Sequence, residues 1–199
     1  MILATLSGGI DSVAMCYLLL KQGEKLHIHH VEIDNEENRT HAENVAVKKV
    51  LNYFNSVGLT NYQYTSSKIS CPTFNGHFLF DSDAYNLFAG FICSTDKKIT
   101  QVAVGTNKED LHLTASDRVK RSNSLLQLFA NVEKIYPIKD YSKKDLYELL
   151  PQELKDSFWS CRTPVYKDNY AKPCDRCQTC YKMKKFGITQ PSLNLINTL

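Results

Sequence analysis

Two segments of the sequence carry residues whose types and spacing could do chemistry. The first is Ser7-Gly8-Gly9-Ile10-Asp11-Ser12, which lies between a short apolar run and a stretch with apolar residues at helical spacing. Two glycines let the backbone turn sharply and present N–H groups to an anion, and the serine hydroxyls add further donors. A helix beginning at this point also favours negative charge near its N-terminus. The segment is therefore predicted to be a phosphate-binding loop at the carboxyl edge of a sheet.

This loop differs from the common nucleotide-binding motifs. It lacks the Lys-Ser or Lys-Thr pair of a Walker A loop, and its glycines are not spaced as in the dinucleotide fingerprint. A carboxylate inside a phosphate loop needs a cation to bridge it, so Asp11 suggests Mg²⁺ held between the protein and the phosphates. From the two glycines alone, an ordinary strand-to-helix turn capped by Asp11 and Ser12 is an equal alternative.

The second segment holds four of the seven cysteines in the pattern C-x12-C-x2-C-x2-C, namely Cys161, Cys174, Cys177 and Cys180. The two C-x2-C steps let three thiolates converge on one ion, and Cys161 completes a tetrahedron. Four soft ligands with no open position favour structural Zn²⁺ over an iron–sulfur cluster or free thiols, which are the alternatives. Cys16 and Cys93 lie at unrelated spacings and are expected to be small core residues.

Strands and helices alternate through the first three quarters of the chain. Apolar or β-branched runs predict strands at 2–6, 26–33, 62–65, 99–104 and 134–138, and apolar residues at helical spacing lie between them. Parallel strands cannot be joined by tight hairpins, so this alternation predicts an α/β fold, a three-layer parallel sheet with flanking helices. The predicted domains are a sheet domain over 1–150 and a small helical zinc-binding segment over 151–199.

Two long stretches in the predicted sheet domain lack a clear pattern. Residues 66–80 and 105–124 follow consecutive strands, and irregular segments of this length inside a domain usually carry function. Both are expected to lie over the same edge of the sheet. A short helix with a capping box is predicted to begin after Ser142, where Asp145 follows three residues later.

Composition and charge exclude several classes of protein. With 199 residues, 43% of them hydrophobic and 23% charged, the chain is neither disordered nor fibrous. The longest apolar run, around 13–20, is far short of the roughly 18 to 20 residues of a membrane span, and no secretory signal is recognisable. A cytoplasmic location is expected, where cysteines are more often metal ligands than disulfides.

The net charge of +3 is unevenly distributed. Residues 161–185 contain seven lysines or arginines and two aspartates, a charge of +5 that leaves −2 elsewhere. Such a patch suits the phosphates of a nucleic acid, a nucleotide substrate or simple solvation. A nucleic-acid partner stays open on charge alone and is not favoured.

With its SGGxDS loop after the first strand, the sequence resembles the PP-loop ATP pyrophosphatases. Members of this superfamily have an adenine nucleotide alpha hydrolase-like fold and cleave ATP between the α- and β-phosphates to adenylate a carboxylate, urea or base oxygen. The resemblance implies that the loop holds the β- and γ-phosphates of ATP with Mg²⁺, and that adenine lies near the end of the second strand. The implied ATP-binding residues are Ser7, Gly8, Gly9, Asp11, Ser12, Val31 and Asp34, with Asp11 also catalytic.

The C-terminal part narrows this resemblance. Phe158-Trp159-Ser160-Cys161, followed by the segment from Pro173 to Cys180, is similar to the end of the 7-cyano-7-deazaguanine synthases, although Asp175 stands where that family commonly has glycine. The resemblance implies an ATP-dependent carbon–nitrogen ligase of queuosine-type biosynthesis. Its reaction would convert 7-carboxy-7-deazaguanine and ammonia to 7-cyano-7-deazaguanine through an adenylated carboxylate and an adenylated amide.

In the middle of the chain the resemblance is weaker. Three residues match the family's substrate-contact pattern: Arg39, Asp110 and Arg118. Arg118 is also expected to serve catalysis. Ser82-Asp83 stands where the family has an Arg-Asn pair, so another cation must hold the substrate carboxylate. The candidates are Arg118, Lys120 and Arg121.

Two other functions stay open from the sequence. One is a PP-loop adenylating enzyme that stops at the amide or acts on another carboxylate. The other is a zinc-stabilised nucleic-acid-binding module in which the loop is vestigial. The expected partners are the small-molecule substrate, ammonia and ATP, without a membrane, and a homodimer is left open.

Overall fold

The computed structural model describes residues 1–70, 81–113 and 116–196, with side chains at all of these positions except 111–113 and 118. The large sheet contains β1 (Ile2–Thr5), β2 (Leu26–Asp34), β3 (Tyr62–Ser70), β4 (Gln101–Ala103) and β5 (Glu133–Ile135). The helices are α1 (Ile10–Lys21), α2 (Thr40–Ser56), α3 (Asp81–Thr95), α4 (Asp117–Gln127), α5 (Lys143–Leu149), α6 (Gln152–Lys155) and α7 (Gln178–Lys185), and a 3-10 helix covers Lys108–Leu113. A small antiparallel sheet contains β6 (Val165–Lys167), β7 (Tyr170–Lys172) and β8 (Leu193–Asn194).

The strand order of the large sheet creates the binding edge. Its five strands are parallel and stand in the order β3-β2-β1-β4-β5. The chain runs outward from β1 through β2 to β3, then crosses to the other side of β1 and continues outward through β4 and β5. A crevice therefore opens at the carboxyl ends of β1 and β4, where the direction of winding reverses.

Helices cover both faces of this sheet. Alternate residues of β1 enter different cores, because successive side chains of a strand point to opposite faces. Ile2 and Ala4 join a large core with residues of α1, α2 and α5, whereas Leu3 joins a smaller core with residues of α3 and α4. The predicted three-layer α/β fold is confirmed.

The C-terminal segment shares the large core with the sheet. Leu154, Phe158, Met183 and Ile188 are buried in the same apolar cluster as α1. The residues on either side of the boundary predicted at 150 are thus packed together rather than joined by an open linker. In the described part of the chain, no helix has both the length and the apolar character that a membrane span needs.

Some elements differ from those predicted. β3 extends to Ser70 because its whole length pairs with β2, although its side chains are mostly polar and exposed. Part of the irregular stretch 105–124 is helical, since α4 begins at Asp117 after Ser116, whose Oγ accepts a hydrogen bond from the Val119 N–H at 3.4 Å. α4 has few apolar residues, so its helical period is weak in the sequence. The capping box at Ser142 is confirmed, and residues 71–80 of the other irregular stretch lie outside the described residues.

Candidate functional site

The loop between β1 and α1 is held in its shape by close contact with α2. Gly8 has φ +83°, and a Cβ there would lie 3.1 Å from the Cβ of Ala46 and 3.3 Å from the carbonyl oxygen of Glu43. Glycine is therefore required at this position both for its backbone angle and for the space it leaves. The approach places the loop against the N-terminal half of α2.

Ser12 supports the loop from inside. Its Oγ accepts a hydrogen bond from the Ser7 N–H at 3.2 Å and donates one to the Gly9 carbonyl oxygen at 2.9 Å. Of the five loop residues predicted to bind phosphate, Ser7, Gly9 and Asp11 line the adjacent cavity. Gly8 and Ser12 lie behind them and maintain the turn.

Asp11 meets two residues from distant parts of the chain. Its Oδ2 accepts a hydrogen bond from the Lys143 Nζ at 2.5 Å, and its Oδ1 accepts one from the Asn107 Nδ2 at 2.9 Å. Asn107 follows β4 and Lys143 begins α5 after β5, so both lie at the carboxyl edge of the sheet. Sequence reasoning missed both residues, and their only signal was this position after a strand.

The segment just before the cysteine cluster is docked onto the loop. The Trp159 N–H donates a hydrogen bond to the Gly8 carbonyl oxygen at 2.7 Å, and the Ile10 N–H donates one to Ser160 Oγ at 3.3 Å. The indole Nε1 of the buried Trp159 donates to the Cys161 carbonyl oxygen at 2.9 Å. A continuous chain of contacts therefore links the first cysteine of the cluster to the phosphate loop.

The four cysteines come together as the spacing predicts. The Sγ atoms of Cys161, Cys174, Cys177 and Cys180 all lie within 4.8 Å of one another, and those of Cys174 and Cys180 are 4.0 Å apart. A tetrahedral zinc site with Zn–S bonds of about 2.3 Å has sulfur atoms about 3.8 Å apart. The donor set and its dimensions fit Zn²⁺, and the cluster could bind it.

Hydrogen bonds favour the thiolate at Cys174, whereas burial raises the pKa of Cys161 and Cys180. Burial raises the pKa of Cys174, but hydrogen bonds from the Thr163 hydroxyl and from backbone N–H groups outweigh it and lower the pKa to about 6. Asp175 has φ +59°, in the left-handed region where glycine is favoured and aspartate is tolerated. Aspartate can therefore occupy this position of the turn in place of glycine.

The loop, Asp11 and the docked segment border a cavity of about 730 Å³. This volume is within the range of roughly 300–1,000 Å³ typical of small-molecule sites. Its wall is built from the carboxyl edge of the sheet, from α2, α3, α4 and α5, and from residues 159–183. The position at the winding reversal is where open α/β sheets bind ligands.

One wall of the cavity is a network of two arginines and three carboxylates. Arg39 is 4% exposed and forms ion pairs with Glu37 at 2.6 Å, Glu43 at 2.6 Å and Asp81 at 2.7 Å. Arg162 pairs with Glu37 at 2.6 Å and Asp81 at 2.9 Å. Burial raises the pKa of Glu43 against the opposing charge of Arg39, and the pKa of Asp81 is lowered because both arginines outweigh its burial. Arg39, predicted to contact substrate, lines the cavity with its charge already paired.

The other predicted substrate residues are divided between the cavity and the surface. Asp110 lines the cavity, and its N–H donates to the carbonyl and side-chain oxygens of Asn107. Lys120 pairs with Asp117 at the surface, and Arg121 pairs with Asp83 at 2.7 Å. Arg118 lies in the first turn of α4, and its side chain is outside the described residues.

The predicted adenine contacts lie away from the cavity. Val31 is buried in an apolar cluster with Ile33 and Ala84, and Asp34 is exposed, where it accepts a hydrogen bond from Ser70 Oγ at 3.3 Å. Among the described residues that line the cavity, neither Val31 nor Asp34 appears. The part of the chain that follows β2 contributes to the cavity wall through Arg39 and through Glu43 of α2.

Comparison with known proteins supports part of the resemblance. Residues 1–74 match the model of the thiamine biosynthesis protein (ThiI) family, a match that includes the phosphate loop and supports the PP-loop superfamily. No curated protein matches. Among solved structures, the NMN synthetase from Francisella tularensis matches with 16% identity and a TM-score of 0.47. The match covers 77% of this chain and 63% of the synthetase chain, so this chain spans less than two thirds of its length.

Proposed function

We propose that the protein is an ATP-dependent carbon–nitrogen ligase that binds MgATP in the cavity and adenylates a small-molecule carboxylate. The observation that carries this proposal is the opening of Ser7, Gly9 and Asp11, with Lys143 beside them, onto one cavity at the carboxyl edge of the sheet. Backbone N–H groups, an ammonium and a carboxylate that can hold Mg²⁺ are the groups that a polyphosphate requires. The cysteine cluster supports the docked Trp159 and would be held together by structural Zn²⁺.

The substrate is proposed to be 7-carboxy-7-deazaguanine, on the resemblance of the C-terminal segment. An oxygen of its carboxylate attacks the α-phosphorus of ATP, the Pα–O bond to pyrophosphate breaks, and an acyl adenylate forms. Ammonia attacks the acyl carbon, AMP leaves, and loss of a proton gives the amide. The amide oxygen then attacks the α-phosphorus of a second ATP, the Pα–O bond breaks and a second pyrophosphate leaves. Departure of AMP with loss of the two N–H protons gives the nitrile.

The chain contributes position and charge in this scheme. Loop N–H groups and Ser7 Oγ hold the β- and γ-phosphates, and Lys143 stabilises the charge that develops on the departing pyrophosphate. Mg²⁺, carried in with ATP, supplies further charge stabilisation when bound, with Asp11 as its protein ligand. Because Asp11 accepts hydrogen bonds from the Lys143 Nζ and the Asn107 Nδ2, its carboxylate is held in place for the cation.

Product analysis tests the proposal directly. Enzyme, MgATP, ammonium and 7-carboxy-7-deazaguanine are incubated, and products are identified by mass spectrometry. The expected result is the nitrile with AMP and pyrophosphate. Accumulation of the amide would identify an enzyme that stops one step earlier, and AMP formation only with another acid would replace the substrate. Salt-dependent nucleic-acid binding without ATP turnover would contradict the enzyme altogether.

A variant of Asp11 tests the assignment of the loop. Asp11→Asn should lower the rate of pyrophosphate release by about a hundredfold or more, because it removes the charge that holds Mg²⁺ at the departing group. Asp156→Asn is the matched control, since Asp156 is exposed at the end of α6 and accepts a hydrogen bond only from Gln152 among the described contacts. Near-normal release by Asp11→Asn would contradict the role of the loop.

A further inference from the structure

A second polar part of the cavity wall is built by α3, α4 and β5. Lys134 of β5 lines the cavity, and its Nζ donates hydrogen bonds to Asn86 Oδ1 at 2.6 Å and Asn123 Oδ1 at 2.5 Å. The Asn86 amide is fixed in turn, because its Nδ2 donates to the Ser82 carbonyl oxygen and to Ser122 Oγ. The ammonium is thus held in one place by side chains that are themselves held.

The charge of Lys134 is not balanced by these partners. Asparagine is neutral, and among the residues that the structure describes no carboxylate forms an ion pair with Lys134. Burial lowers the pKa of Lys134 to about 8, so that the side chain is still mainly protonated at neutral pH. An ammonium that is partly removed from water is costly without a counter-charge, and an anionic ligand in the cavity would supply one.

Lys134 differs in this respect from the other cations of the cavity wall. Arg39 and Arg162 share three carboxylates, and Lys143 is paired with Asp11. Lys182 also lines the cavity, but its side chain is exposed and remains solvated. Among the described cations of the cavity wall, Lys134 is therefore the partly buried one whose hydrogen-bond partners are neutral.

We propose that Lys134, positioned by Asn86 and Asn123, binds the carboxylate of the small-molecule substrate. The inference rests on the proposed function, and it assigns to β5 the cation that the sequence sought in Arg118, Lys120 or Arg121. Lys120 and Arg121 pair with Asp117 and Asp83, and the side chain of Arg118 is outside the described residues. After conversion of the acid to the amide, the same Nζ can donate a hydrogen bond to the amide oxygen. One residue would then hold the reacting group before both adenylation steps.

Calorimetric titration without ATP tests the subsite separately from turnover. The probes are 7-carboxy-7-deazaguanine and 7-deazaguanine, which differ by the carboxylate. The wild-type protein should prefer the acid, and Lys134→Gln should weaken binding of the acid by about 10- to 100-fold, the range of a charge-assisted hydrogen bond, with binding of 7-deazaguanine unchanged. Lys144→Gln is the control, because Lys144 is exposed and pairs only with Glu148 among the described contacts.

Several results would overturn the subsite. For the wild type, these are equal binding of the two probes or no binding of either probe. For the variants, they are an equal loss of binding of both probes in Lys134→Gln, or a loss of acid binding in Arg118→Ala while Lys134→Gln still binds the acid normally. The proposed function is tested by the nitrile assay instead. Normal nitrile formation by both wild type and Lys134→Gln contradicts this inference alone, whereas Lys134-dependent binding of the acid without nitrile contradicts the reaction alone.

Discussion

Replacement of Gly8 by alanine separates the two reasons for glycine in the phosphate loop. Gly23 and Gly58 provide matched controls, because their φ angles of +81° and +77° are close to that of Gly8, +83°, but nothing lies within 4 Å of a Cβ at either position. A left-handed backbone costs a non-glycine residue roughly 1–2 kcal/mol, and the smaller entropy of the unfolded alanine chain returns about 0.4–1 kcal/mol. The two controls should therefore lose about 1 kcal/mol of unfolding free energy.

Gly8→Ala adds a steric cost to this conformational cost. The new methyl group would lie 3.1 Å from the Ala46 Cβ and 3.3 Å from the Glu43 carbonyl oxygen, so α2 or the loop must move by a few tenths of an ångström. Overpacking of this kind costs typically 1–3 kcal/mol, which brings the expected loss to about 2–4 kcal/mol.

Urea unfolding measures these losses if the denaturant slope is unchanged among the variants. Titration with MgATP on the same samples should show weaker binding by Gly8→Ala, because the loop has moved, and unchanged binding by Gly23→Ala and Gly58→Ala. If Gly8→Ala loses no more stability than the two controls, the close approach of the loop to α2 is wrong.

Two further predictions concern stability. Purified protein should contain about one Zn²⁺ per chain, and Cys161→Ser should lower both the zinc content and the Tm; metal-free protein of equal stability would refute this. Burial lowers the pKa of His29 to about 4, below its usual value of 6.5, so its contribution to stability is fully present above pH 6.5 and is lost as the pH falls towards 4. His29→Gln should reduce the decrease in unfolding free energy between pH 6.5 and pH 4, measured by urea unfolding at several pH values. The surface variant His41→Gln should leave this decrease unchanged.

Local features of the sequence were sufficient for the parts of the site that depend on neighbouring residues. The glycines and serines of 7–12 predict a tight anion-binding turn because backbone freedom and hydrogen-bond donors act within a few residues. The C-x2-C steps likewise predict convergent thiolates, and the first cysteine joins them in the structure. Alternating apolar runs were enough for the α/β class, since side-chain period is a local property of strands and helices.

Contacts between side chains across the cavity could not be predicted from local sequence patterns. Lys143 lies 132 positions after Asp11, and Asn107 lies 96 positions after it, yet both reach the same carboxylate. Nothing in their types or spacing indicates this meeting, because it depends on the placement of β4 between β1 and β5. The same holds for Ser160 at the loop and for Lys134 between two asparagines.

The charged residues show most clearly the difference between what the sequence determines and what the tertiary structure decides. From the sequence, Arg39 was a substrate contact and Lys134 was part of a strand, but the structure surrounds the first with three carboxylates and the second with two amides. Residue type alone determined that each carries a positive charge. Whether that charge is already neutralised or stays available to a ligand was decided only by tertiary structure, because electrostatic pairing depends on distances of a few ångströms between segments that the chain brings together by folding.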